Sequence, residues 1–346
     1  MPLYLFCMLI LLLPFTSYAQ SCPVACDKQG ACAQKMMIGS KQVNFYSNFN
    51  LNKTNRCIDH VIYVVHGTER NAESRYFAVL NAAKSMQKEN RVLIISPFFK
   101  TAEDNPTSKE YYWSDSGWKK GDYSVNNGDQ LSSFTVADKM LETVIENGLF
   151  PSLTHVTVTG HSAGGQYTQL YALTSSAPDQ SALPYQYLVL NPSNYSYLNE
   201  LRPHPSVQGL FEQPVYWDGA SWKMKPEYEA VAGRCPDTYN NYKFGLMNRN
   251  RYASQLPVET LITQYIKRKV YYLLGSLDID PNDPALDTTC SAELQGPFRL
   301  KRGNNFYQFL NQYYPYHQHT LAVVPNVGHD GAAMYGSTVV KNILFS

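Results

Sequence analysis

The 346-residue chain lacks a charge excess of either sign: 29 Lys and Arg offset 28 Asp and Glu, leaving a formal +1. Without a basic surplus there is no footprint for the phosphate backbone, so no nucleic-acid partner is expected. Without an acidic surplus, and with 44% hydrophobic residues, the composition is not that of a disordered chain. After residue 20 no apolar run is long enough to cross a bilayer. Internal repeats and low-complexity tracts are absent, which excludes solenoids and arrays. Cys22, Cys26 and Cys32 stand as Cys-x3-Cys-x5-Cys without a histidine at zinc-site spacing, His60 being the sole candidate nearby. Neither a metal nor an organic cofactor is therefore expected. The length suits one large α/β domain or two modest ones.

The first nineteen residues differ from the rest. Leu3–Phe15 is an apolar core too short for a comfortable transmembrane helix, and Ser17-Tyr18-Ala19 offers small residues where a signal peptidase reads. No Lys or Arg precedes the core, but the segment otherwise reads as a secretory signal cut after Ala19, with no stable membrane insertion once it is removed. Seven cysteines, one of them Cys7 in the signal, leave an even six for an oxidising compartment. Three bridges among them allow fifteen connectivities. Cys235 and Cys290 are plausible partners in long polar segments; Cys22, Cys26, Cys32 and Cys57 would then staple the N-terminal arm. The expected organisation is a signal (1–19), a Cys-rich irregular arm (20–57) and a domain over 58–346 with an insertion at 195–257.

Along the chain, Lys41–Phe49 alternates as an early strand, and His60–Val65 is a continuous apolar run of the buried-strand kind, ended by His66-Gly67. Helices are expected over Ala72–Gln87, Phe134–Ile145, Ala163 to about Ser175, Asn304–Tyr313 and Gly331–Ile343. Strands are expected at Val92–Pro97, His155–Thr159, Tyr185–Leu190, Lys269–Leu274 and Leu321–Val324. Residues 100–130 have no period and read as a long functional loop. Residues 195–257, rich in Tyr, Asn, Pro and Trp, break the rhythm as an insertion over the site. Alternating strands and helices imply a mostly parallel central sheet covered on both faces.

One strand-to-helix junction carries chemistry. Gly160-His161-Ser162-Ala163-Gly164-Gly165 contains Gly-x-Ser-x-Gly directly after the strand at 155–159. A serine on so sharp a turn needs glycines two residues to either side, where side chains would collide. The turn presents the hydroxyl and leaves the N–H of Ala163 at a helix N-terminus, free to receive an oxyanion. An activated serine needs a base, and the base an orienting acid. Of His204, His317, His319 and His329, only His329 follows the last strand and precedes the last helix. Asp278 lies three residues past the end of the strand at 269–274, where the backbone is best fixed; Asp280, Asp283 and Asp287 crowd the same loop. Gly67 lets the chain pass closely, making the N–H of Thr68 the second oxyanion donor, with His66 a structural hydrogen-bonding residue.

In order and spacing, His66-Gly67, Gly160–Gly165, Gly275-x-x-Asp278 and Gly328-His329 resemble the landmarks of secreted, esterase- and lipase-like serine hydrolases of the α/β-hydrolase superfamily. The resemblance spans residues 60–346. His66-Gly67-Thr68-Glu69-Arg70-Asn71 with Asn191-Pro192-Ser193 resembles extracellular microbial members. It implies the α/β-hydrolase fold and cleavage of carboxylic esters, small or polymeric, through an acyl-enzyme. Ser162 would be the nucleophile, His329 the base, Asp278 its orienting acid, and Thr68 and Ala163 the oxyanion donors. A peptidase with the same machinery, and a binding protein on a hydrolase scaffold, are the other readings.

Tyr111, Tyr112, Trp113, Trp118, Trp217 and Trp222 fall in segments expected to border the site. They form either an acyl pocket, a platform for a sugar or polymer, or plain loop packing. Asp278, Asp280 and Asp283 lack the glycine and terminal glutamate of a calcium loop.

Overall fold

The computed structural model describes residues 22–346. The signal-like segment lies outside the described residues. Eight strands form one sheet: β1 (Ala33–Ile38), β2 (Lys41–Ser47), β3 (His60–Val65), β4 (Val92–Phe98), β5 (His155–His161), β6 (Tyr185–Leu190), β11 (Lys269–Gly275) and β12 (His319–Val324). Their order is β1-β2-β4-β3-β5-β6-β11-β12. The hairpin β1–β2 and the pair β2–β4 are antiparallel and every other pair is parallel. The continuous apolar runs of β3 and β6 are buried almost end to end, as a strand covered on both faces requires.

The connections supply the cover. Helices α1 (Ala72–Ser85), α2 (Ser133–Glu146), α3 (Ala163–Thr174), α4 (Ala177–Gln180), α5 (Pro226–Ala232), α6 (Val258–Lys267), α7 (Cys290–Glu293), α8 (Arg299–Tyr313), α9 (Gly331–Gly336) and α10 (Thr338–Leu344) follow in chain order. α1 packs on β2, β3 and β4 and groups with α9, which contacts α10; α3 packs on β3, β5 and β6 and groups with α6. Helices thus lie on both faces of a mostly parallel sheet, as the strand–helix alternation implies.

Several expectations change. Residues 20–40 are not wholly irregular, because Ala33–Ile38 is an edge strand. Its alternation is one of exposure and not of residue type, with Gln34, Lys35, Met36 and Met37 in succession, so no apolar period marks it. With β2 it places two strands of the central sheet inside segment 20–57. The helix expected from Asn304 begins five residues earlier, where Arg299 and Arg302 of its first turn are drawn inward by the preceding loop. α6 adds a helix not foreseen, although Val258, Leu261, Ile262, Tyr265 and Ile266 hold helical spacing. The terminal helix is two, because Ser337 ends α9 and caps α10 through the N–H of Val340. The segment 195–257 contains two small hairpins, β7–β8 (Arg202–Pro203 with Phe211–Glu212) and β9–β10 (Val215–Trp217 with Trp222–Met224), together with α5.

Three disulfides join Cys22 to Cys57, Cys26 to Cys32 and Cys235 to Cys290. The first two staple the N-terminal segment; the third ties the loop just after α5 to the start of α7. No helix among the described residues is long and apolar enough to cross a membrane.

Candidate active site

Ser162 sits between β5 and α3 with φ 59° and ψ −121°, a left-handed backbone that a non-glycine residue holds only under constraint. The constraint is visible in the glycines around it. A Cβ on Gly160 would overlap the backbone of Gly164; one on Gly164 would overlap the carbonyl of Val65 and lie 2.7 Å from that of His66; one on Gly165 would stand 2.5 Å from the carbonyl of Leu190. The first turn of α3 therefore rests directly on the ends of β3 and β6. Ser162 N–H donates to the Leu190 carbonyl at 3.0 Å, closing the turn.

His329 enters from the loop after β12. Its Nε2 lies 2.9 Å from Ser162 Oγ and its Nδ1 lies 2.7 Å from Asp278 Oδ2. The loops carrying acid and imidazole are locked to one another: Leu277 N–H donates to the Val327 carbonyl and Ser276 N–H to that of Val324, both at 2.9 Å. Asn326 N–H donates to Ser276 Oγ at 2.8 Å. Gly275 permits this, since a Cβ there would press on the carbonyls of Val327 and Gly328. Asn191, just past β6, is the keystone: its Oδ1 accepts from Gly275 N–H at 2.8 Å and its Nδ2 donates to the Gly328 carbonyl at 3.3 Å.

The four loop aspartates separate cleanly. Asp278 is buried, faces His329 with one oxygen and Arg299 with the other at 3.3 Å. Asp283 also pairs with Arg299, at 3.1 Å, Asp280 closes an exposed turn onto Asn282 N–H, and Asp287 pairs with Lys243 at 2.9 Å. Arg299 thus occupies the place between Asp278 and Asp283. Arg302, also buried, fixes the same loop through the carbonyls of Ser193 and Asp287. The two arginines were not singled out from the sequence, and Asn191 and His161 stood there only within motifs, with no role given to either; long-range contact gives all four their place. His161 packs its ring 4.5 Å from that of His329, and burial, helped by the His329, Arg75 and Arg299 charges, holds its pKa well below the usual histidine value.

Thr68 and Ser162 line one cleft of about 340 Å³ with Gly67, Glu69, Asn71, Ser74, Arg75, His161, Ala285, His329, Asp330 and Gly331. Among the described residues neither the Thr68 nor the Ala163 N–H has a backbone acceptor, so both remain available to a ligand. His66 holds the Thr68 loop from behind. Its Nε2 accepts from Phe99 N–H at 3.1 Å and its Nδ1 donates to the Gly67 carbonyl at 3.0 Å. Burial lowers its pKa to about 4, keeping the ring neutral as this bonding requires.

The aromatic residues do not line the cleft. Tyr111, Trp113 and Trp118 are buried, and Trp118 packs 4.5 Å from the His66 ring, so these side chains form packing beneath the Thr68 loop. Trp217 and Trp222 stand edge to face, 5.7 Å apart, on the exposed β9–β10 hairpin. His204, Glu212 and Glu227 bring ligand-type atoms within 4.8 Å of one another. They do not fit a cation well: His204 Nδ1 accepts the N–H groups of Ser206 and Val207, which leaves the proton on Nε2, and Lys225 pairs with Glu212 at 2.8 Å.

No family model matches this chain, and no curated protein matches its sequence. Its structure is similar to that of poly(aspartic acid) hydrolase-1 from Sphingomonas sp. KT-1, with TM-score 0.59 and 19% identity over 91% of this chain and 98% of that one. It is also similar to LpqC, the poly(3-hydroxybutyrate) depolymerase from Bordetella parapertussis, with TM-score 0.58 and 19% identity over 90% of this chain and 89% of that one. At this identity the likeness is one of fold.

Proposed function

We propose that this chain, which has the α/β-hydrolase fold, is an exported serine hydrolase that cleaves carboxylic esters through an acyl-enzyme. The observation that carries the reading is the continuous hydrogen-bonded line from Ser162 Oγ through the His329 ring to Asp278. Asp278 accepts from Nδ1–H and so keeps the proton off Nε2, which faces the serine. Nε2 takes the hydroxyl proton as Oγ bonds to the substrate carbonyl carbon. The carbonyl oxygen gains charge at that moment, and the N–H groups of Thr68 and Ala163 receive it. The imidazolium then protonates the departing alkoxide as the ester C–O bond breaks. A water molecule, deprotonated by the same imidazole, attacks the acyl carbonyl; the acyl C–Oγ bond breaks, the imidazolium returns the proton to Ser162 Oγ, and the acid is released. Every proton in this cycle is held by His329, so no further group is needed.

The preorganised N–H pair is the larger electrostatic part of the account. A single such donor is worth roughly a hundred- to a thousandfold in rate. Export is supported by the three disulfides, which persist in oxidising compartments. The described organisation is then a domain whose sheet begins within the Cys-rich segment.

The test is covalent. A fluorophosphonate should label the protein once, on Ser162, and Ser162→Ala should abolish labelling together with turnover of p-nitrophenyl acetate and butyrate. An unlabelled wild-type protein would sink the reading in favour of a non-catalytic scaffold. Turnover confined to peptide anilides, with esters untouched, would replace esterase by amidase.

A further inference from the structure

Among the described residues four arginines are buried, and each is held by several acceptors. Arg202, Arg268, Arg299 and Arg302 each direct their guanidinium at two or more carbonyls or carboxylates. Arg75 does not. Its Nε is buried without a hydrogen-bond partner, as are those of Arg202 and Arg268, but among the described residues Arg75 alone of these five has no carbonyl or carboxylate partner for any of its nitrogens. A guanidinium carries five donors, and leaving them unanswered in a partly desolvated place is costly.

Its seat is well defined. Arg75 projects from the first turn of α1 into the cleft that holds Ser162 and His329. The guanidinium lies against Gly331, two residues past His329, at a point where any Cβ would overlap it; Nη2 would be 2.7 Å from that Cβ. From the other side, Nη2 and Ser162 Cβ each lie 3.9 Å from the position a Cβ on Gly67 would take. The ring of Tyr335 sits under the cation, 5.9 Å away. Two glycines and a tyrosine thus leave room for a guanidinium beside the serine, while its outward donors meet no protein acceptor.

The rest of the cleft agrees. Apart from Ser162, the two imidazoles, Arg75 and two acids, its walls are glycine, Ala285, Thr68, Asn71 and Ser74, with no large aliphatic side chain to take a fatty acyl chain. Two acids share it. Asp330 is spent on capping α9 through Ala332 and Ala333 N–H, and Glu69 is exposed at the rim, where water screens it.

We propose that Arg75 is a specificity residue that pairs with a carboxylate on the substrate, so that the preferred esters are those of short polar molecules bearing a carboxylate a few atoms from the scissile carbonyl. The inference rests on the assignment of Ser162 as nucleophile. The planar, bidentate guanidinium suits a carboxylate, and a charge-assisted pair in a partly buried cleft discriminates more strongly than one in open water.

The experiment compares matched esters. On the acyl side, mono-p-nitrophenyl glutarate is set against p-nitrophenyl valerate; on the alcohol side, 4-carboxyphenyl butyrate against phenyl butyrate. In the wild type at least one carboxylate-bearing ester should show the higher kcat/KM, by about tenfold or more. Arg75→Gln should reduce that anionic-to-neutral ratio by roughly 10- to 100-fold, mainly through KM, while Arg75→Lys keeps part of it. Glu69→Gln should raise the ratio, because it removes a competing negative charge. Fluorophosphonate labelling of Ser162 in each variant reports an intact site. The inference is overturned if wild type favours the neutral ester in both pairs, or if Arg75→Gln slows both members equally while Ser162 still labels. Loss of labelling in the wild type would instead strike the assignment of the nucleophile.

Discussion

Asp278→Asn is the sharpest perturbation of this site because the structure dictates which way the new amide must point. Asp278 uses Oδ2 for His329 Nδ1 at 2.7 Å and Oδ1 for Arg299 Nη1 at 3.3 Å. Arg299 is fully buried and can only donate. The asparagine oxygen must therefore turn to Arg299, and its NH2 group must turn to His329. Facing a donor, Nδ1 becomes the acceptor, and the ring proton moves to Nε2, which then cannot take a proton from Ser162. The geometry is preserved while the tautomer is wrong. In an equivalent triad of another fold this substitution lowers kcat about 10⁴-fold, or about 5 kcal/mol of barrier. The same fall is expected here, with KM for p-nitrophenyl butyrate changed less than threefold and fluorophosphonate labelling slowed in parallel. Far-UV circular dichroism would confirm the fold, since Arg299 keeps Asp283 as a partner at 3.1 Å. A kcat reduced less than tenfold in a folded variant would refute the role given to Asp278, and with it the proton path through His329.

Two further outcomes follow from particular atoms. Gly164→Ala places a methyl group into the Val65 carbonyl and 2.7 Å from that of His66, so α3 must lift from β3; about 1–3 kcal/mol of stability and roughly a hundredfold in kcat should be lost, read by thermal melting and ester turnover, and a fully active variant would contradict the packing. Glu110 is buried, which by itself raises its pKa, but donors from Lys100, Thr107 and Asn44 outweigh burial and bring it down to about 2 from 4.5. Because the folded value is the lower one, its stabilisation is complete above about pH 4.5 and fades as pH falls toward 2, amounting to about 3 kcal/mol at neutral pH. Urea unfolding of Glu110→Gln and wild type should therefore show a gap at pH 7 that narrows below pH 4.5, and a gap independent of pH would refute the assignment.

What was legible in the sequence was legible for local reasons. The continuous apolar run His60–Val65 reports burial on both faces, and glycines at 160 and 164 report a turn that tolerates no side chain. Chain order then drew attention to His329 and Asp278, and the structure brings His329 to Ser162 and Asp278 to the far side of its ring. The edge strand Ala33–Ile38 was not legible, since an exposed edge imposes no apolar period. The early start of α8 was hidden for the opposite reason, because Arg299 and Arg302 look like surface residues until a loop of carbonyls and carboxylates surrounds them.

The sequence by itself determined the strand–helix alternation, the turn at Ser162, and the even set of cysteines after residue 20, because each is read from a few neighbouring residues or a simple count. Only the tertiary structure decided which of four aspartates meets the imidazole, which cysteines pair, that Asn191 ties two loops together, and that Tyr111, Trp113 and Trp118 lie beneath the cleft instead of lining it. It alone set Arg75 beside Ser162 with its donors unanswered. Those outcomes depend on side chains far apart in the chain meeting at one sheet edge, and nothing in the spacing of residues along a chain records the direction from which a distant partner arrives.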